Sequence, residues 1–175
     1  YDVTSYLTGS SGKSLVIWMR SNTKWSCGAC MSDSPANVLE YRFDSQIFIP
    51  ATAQDQSYWS DAVTAHELGH WVMASFGRSP YEGGRHCVGV PTFPGQAWSE
   101  GFATLFSSLV RENSIYFDKQ EGSTFWIDIE RRAYSSTRAA WKRPVARDGL
   151  LQLIDENEVS SMGWALRKRS TEEGM

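Results

Sequence analysis

Short, almost unbroken apolar runs separated by turn-forming residues mark the N-terminal third of the chain. Ser14 to Met19 (SLVIWM) reads as a buried strand. Val38 to Phe43 (VLEYRF) and Ile47 to Ile49 (IFI) read as two more, the last stopped by Pro50. Ser10-Ser11-Gly12 and Ser32-Asp33-Ser34-Pro35 supply turns. The period changes near residue 57. Ser57 to Phe76 reads as a helix, capped by Ser60 or Asp61 and ended by Gly77 and Pro80. Its apolar residues go nearly all round, as in a helix packed inside a protein. Residues 77–96 are rich in Gly and Pro and read as a long loop, a feature that in a compact domain usually serves function. A second helix is expected from Ala97 to Glu112. Residues 123–142 and 147–155 also look helical, and a last segment from Ser160 gives way at Lys168 to a polar tail expected to be disordered.

Strands first and helices afterwards point to an α+β fold. The 175 residues suit a single domain. Residues 1–77 would form a small β-rich lobe plus a first helix, and residues 78–175 a loop plus a mainly helical lobe. Composition changes this little: 41% hydrophobic and 21% charged residues are ordinary for a globular chain. The net charge of −3 and the lack of like-charge blocks argue against a nucleic-acid partner. Arg131-Arg132 and Arg167-Lys168-Arg169 read as solvated helix faces. No apolar run reaches the ~20 residues that span a bilayer. A chain beginning at Tyr1 is expected to be processed or excised, which leaves room for a signal peptide, a pro-segment or flanking domains outside it.

Three cysteines cannot all pair within the chain. Cys27 or Cys30 with Cys87 is one pairing. Cys27-Gly28-Ala29-Cys30 is also a CxxC, open to a redox role or, with Cys87 and His86, to a structural zinc site. A disulfide would imply a secreted protein.

The densest chemistry is His66-Glu67-Leu68-Gly69-His70, an HExxH inside the first helix. Residues four apart lie about 40° apart around a helix axis and one turn along it, so two imidazoles can converge on one ion. Glu67 lies on the same side and can reach a water there without being a ligand. A shuffled chain of this composition contains the pattern about 0.003 times, so chance does not account for it. Two core histidines satisfied by hydrogen bonds are the plain alternative, but two His and a Glu on one face of a buried helix need compensation for lost hydration. A catalytic zinc takes a third protein ligand and keeps a fourth position open. A further Gly and His at 73 and 76 would complete one kind of site; those positions hold Met73 and Phe76. Glu100, among Trp98, Phe102, Leu105 and Phe106 on the second helix, is the remaining candidate; otherwise it is an exposed first-turn Glu favoured by the helix dipole.

HELGH followed by Trp98-Ser99-Glu100-Gly101-Phe102-Ala103 resembles the gluzincins, metallopeptidases whose third zinc ligand is a Glu on a second helix. The likeness covers residues from about 61 to 110. It implies His66, His70 and Glu100 as ligands of Zn2+, Glu67 as general base, and hydrolysis of a peptide or protein substrate. Two features depart from the family. The spacing from His70 to Glu100 is longer than usual, which the Gly/Pro-rich loop accounts for, and Thr104 stands where the family often has an acidic residue bonded to a ligand histidine. Asp61, Asp128 or a backbone carbonyl are the candidates to orient the histidines instead. A second donor to the oxyanion is required; Tyr134, expected on a helical segment, is the first candidate, with His86 and Tyr81 as the others. The resemblance also implies an edge strand along the cleft that takes up substrate as an added strand; Ile47-Phe48-Ile49 is the candidate, with an interior strand as the plainer reading. The loop 77–96 is expected to shape the pocket, and Gly69 and Gly101 suggest close helix approach. An endopeptidase leads, with an aminopeptidase, a non-catalytic zinc-bearing binding domain and a cysteine-ligated zinc protein as competitors.

Overall fold

The structure, a computed structural model, describes residues 12–82, 84, 86, 90–136 and 155–173. Its first sheet has the order β1-β5-β2. Strand β1 (Leu15–Met19) runs parallel to β5 (Ser45–Ile49), and β2 (Cys30–Ser32) pairs antiparallel to the other side of β5. Ile47–Ile49 is therefore the central strand and not the expected edge. Phe48 is paired with Trp18 on one side and Cys30 on the other, and Ile47 and Ile49 are fully buried in the core. The edge on the antiparallel side is β2. The single strand expected at 38–43 is a hairpin of β3 (Ala36–Val38) and β4 (Tyr41–Phe43), turned through Leu39 at φ 54°.

Cys27 and Cys30 are joined to each other in a disulfide just ahead of β2. Neither pairs with Cys87, which lies outside the described residues. A zinc site on Cys27, Cys30, Cys87 and His86 loses two of its sulfurs to this bond.

Helix α1 spans Asp61–Phe76. Of the two expected caps it uses Ser60, whose extended backbone separates it from a single 3-10 turn at Ser57–Trp59 and whose hydroxyl accepts from Val63 N at 3.4 Å. Ala62 and Val63 pack into one core with Ile47 and Ile49. Helix α2 spans Pro94–Arg111, three residues longer at its start than expected, because Pro94 is suited to the first helical turn. A side chain on Gly69 would meet Ala103 Cα at 2.8 Å, so Gly69 lets the two backbones approach directly. Gly101 does the same on the other side of α2, where a Cβ would meet Val159 Cβ at 2.6 Å and Glu156 O at 2.7 Å. Both close approaches were legible in the two glycines.

Residues 123–136 are not helical. Strands β6 (Ile115–Gln120), β7 (Ser123–Asp128) and β8 (Ala133–Ser136) form an antiparallel sheet. Glu121 and Gly122, both at positive φ, make the tight turn between β6 and β7. Phe125, Ile127 and Tyr116 face the core, which also takes in Ile129 and Trp164. Of the helix expected at 147–155 only Asp155 is described; it is outside any helix, and its carboxylate accepts from Asn157 N at 2.8 Å to cap α3 (Glu156–Glu173). The tail expected from Lys168 continues α3 to Glu173, with the Thr171 hydroxyl donating back to Lys168 O at 2.8 Å. No described helix is long and apolar enough to cross a membrane.

Candidate metal centre

Helical spacing puts His66 and His70 one turn apart on α1, with their Nε2 atoms 3.1 Å from each other. The approach at Gly69 brings α2 close enough for Glu100 Oε2 to lie 3.1 Å from His66 Nε2 and 3.3 Å from His70 Nε2. The three atoms form a nearly equilateral triangle. Ligands about 2.0–2.1 Å from a tetrahedral zinc stand about 3.3–3.4 Å apart, so these residues fit such an ion. The outer ring nitrogens are also occupied. His66 Nδ1 is 3.1 Å from Thr104 Oγ1, and His70 Nδ1 is 3.2 Å from Ser99 Oγ. These contacts turn both Nε2 atoms inward.

The expected orienting acids are elsewhere. Asp61 pairs with Arg111 at 3.1 Å. Asp128 accepts from Ser114 Oγ at 3.0 Å and from the amides of Glu130 and Arg131. Thr104 itself, four residues after Glu100, takes the place of the acid. Ser99 was within view, inside the motif that carries Glu100, but its hydroxyl was not read as a partner.

Charge is concentrated here. Burial would raise the Glu100 carboxyl, but the hydrogen bonds from His66 and His70 prevail and hold it well below the usual range. His70 is pulled down by burial and raised overall by Glu100. Glu67 is only 5% exposed. Burial raises its carboxyl, and the charges of His66 and His70 offset only part of that. Tyr116, which the sequence did not single out, sets its ring edge-on to His66 at 5.7 Å between centroids.

Of the three candidate donors, His86 joins the cluster. Its Nε2 is 3.4 Å from Glu100 Oε2 and its Nδ1 2.6 Å from Glu156 Oε2. Burial lowers His86, but the bond and charge of Glu156, with Glu100 behind it, push it up to about 9. Tyr81 instead has its hydroxyl donating to Asp33 at 3.3 Å. Tyr134 lies on β8 opposite Ile127, on a strand and not the expected helix; its side chain is outside the described residues.

The Mycolysin C-terminal domain profile matches residues 16–162. The chain belongs to this family. Mycolysin is a zinc metallopeptidase, which makes the protein peptidase-related. The mycolysin match contains HELGH, Glu100, His86 and Glu156. No curated protein and no solved structure matches the chain.

Proposed function

We propose that the protein is a zinc-dependent endopeptidase in which His66, His70 and Glu100 hold the metal. The observation that carries this is the triangle of 3.1–3.3 Å between two Nε2 atoms and one carboxylate oxygen, sized for a tetrahedral ion. A zinc ion held by His66, His70 and Glu100 would supply a Lewis acid and lower the pKa of water toward neutrality. Glu67, one residue from His66 on the same helix, accepts the proton of the attacking water and returns it to the leaving amine. Its raised carboxyl suits an acid-base group better than an ordinary surface glutamate would. His86 faces the cluster through Nε2 and serves as the second donor to the oxyanion. A peptide in extended form can add to β2, which pairs only with β5 among the described residues.

Secretion fits the same picture. Mycolysin is a secreted bacterial protease, and the Cys27–Cys30 disulfide suits an oxidising compartment.

The test is zinc content and casein cleavage in wild type, Glu67→Ala and Glu100→Ala. Wild type should bind zinc and cleave. Glu67→Ala should keep the metal and lose activity about a hundred- to ten-thousandfold. Glu100→Ala should lose metal affinity. A Glu100→Ala protein with unchanged zinc binding and cleavage would sink the ligand set, and a zinc-bound wild type that cleaves nothing would make this a binding domain.

A further inference from the structure

His86 itself is in neither helix nor strand, and its side chain is 34% exposed. Neither the backbone nor dense packing fixes such a ring. What meets it is Glu156, the buried first residue of α3, whose Oε2 is 2.6 Å from His86 Nδ1. The other ring nitrogen faces a second carboxylate, Glu100, at 3.4 Å. At 2.6 Å the contact with Glu156 is a hydrogen bond, in which His86 Nδ1–H donates to the Glu156 oxygen. The position of Glu156 is itself built into the fold. Gly101, the residue after Glu100, leaves room for the Glu156 carbonyl and Val159, and so lets the first turn of α3 sit against α2 beside the cluster.

We infer that Glu156 is a positioning residue that holds His86 with its Nε2 turned to the reaction centre. The role of His86 rests on the peptidase reading; the Glu156–His86 bond does not. Glu156 takes up Nδ1–H, which fixes the ring plane and leaves Nε2 facing the cluster. In the peptidase reading this is the nitrogen that meets a substrate oxygen as it gains negative charge.

The experiment uses the full chain, with and without zinc, labelled with 15N-histidine. Long-range proton–nitrogen spectra should show a low-field His86 Nδ1 proton that disappears in Glu156→Ala. Zinc content and the His66 and His70 signals should not move. Glu156→Gln, nearly the same shape and still an acceptor, should retain part of the bond and guards against a variant that fails to fold. In casein or peptide cleavage, Glu156→Ala should lower kcat about ten- to a hundredfold with little change in KM, and should cost nothing further in a His86→Ala background. A His86 spectrum indifferent to Glu156→Ala and Glu156→Gln, or losses that multiply in the double variant, would overturn the inference. A chain that binds zinc and cleaves nothing would sink the peptidase reading alone, and the spectra would still decide whether Glu156 positions His86.

Discussion

The floor and the rim of the centre are held by different means. On the floor, His66, His70 and Glu100 are mounted on two helices whose backbones touch at Gly69 and Ala103, and the hydroxyls that steady the imidazoles come from α2 itself. On the rim, His86 lies outside any described helix or strand and is tied across the fold through its two ring nitrogens, to Glu156 and to Glu100. The floor's geometry follows from helix packing and should tolerate the loss of any one polar contact. The rim's geometry is a sum of cross-links, each of which can be cut by itself. Metal binding and substrate handling should therefore respond to different substitutions.

The largest effect should come from Gly69→Ala. Its Cβ would meet backbone, Ala103 Cα at 2.8 Å, and backbone has no rotamer to yield with. The helices must move apart, at a cost of up to about 3 kcal/mol, and Glu100 moves away from the histidines. Urea unfolding should show lost stability, and competition with a chelator should show zinc affinity reduced more than tenfold. Unchanged values for both would mean that direct backbone approach does not hold the floor.

Next in size is the disulfide ahead of β2. Cys27 and Cys30 are three residues apart, so the bond closes a short loop and restricts the unfolded chain by about 2 kcal/mol. Cys27→Ser with Cys30→Ser should lower the melting temperature and leave zinc content unchanged. Loss of zinc would revive the cysteine-ligated reading. Smaller again is Thr104→Val, which keeps the shape and removes the oxygen facing His66 Nδ1. Zinc affinity should fall about tenfold, or about 1.4 kcal/mol, while KM for peptides stays near the wild-type value. A raised KM with unchanged zinc affinity would blur the division between floor and rim.

The same division separates what a linear reading could reach from what it could not. The floor is local: HELGH is a pattern within one helix, Glu100 sits in a recognisable motif, and the two glycines announce close packing. Helical periodicity and side-chain type were enough. The His86–Glu156 contact joins residues 70 apart, and no pattern in either segment points to the other. The second sheet was misread for another reason. Strand β6 buries Tyr116 and Asp118 and exposes Ile115 and Phe117, so its alternation runs against hydrophobicity. Asp118 is wholly buried, with Gln120 Nε2 and its neighbour's amide donating to it, and such a site is visible only once the strand is folded. Strand β5 was recognised as a strand but placed at the wrong position in its sheet, because strand order depends on the return of β1 and β2 and not on the apolar run itself.

The smallest effect should come from Asp33, which joins Lys13 and Tyr81 to Ser45 of the first sheet. Burial pushes its carboxyl up, but hydrogen bonds from Lys13, Ser45 and Tyr81 prevail and hold it below its ordinary value of 3.8. The Lys13 ammonium, 2.7 Å away, is raised above 10.5, chiefly by the same hydrogen bond. The signs follow from the two directions. A depressed carboxyl contributes stability that is present above pH 3.8 and lost as pH falls through its folded value; a raised ammonium contributes stability that is present below pH 10.5 and lost as pH rises through its folded value. Solvent reaches both partners, so Asp33→Asn should cost under about 1 kcal/mol. Urea midpoints for wild type and Asp33→Asn should differ most near neutral pH and converge below pH 3.8. A difference that stayed constant down to acid pH would assign the effect to packing of the side chain and not to its charge, and this contact would then be held as the floor is.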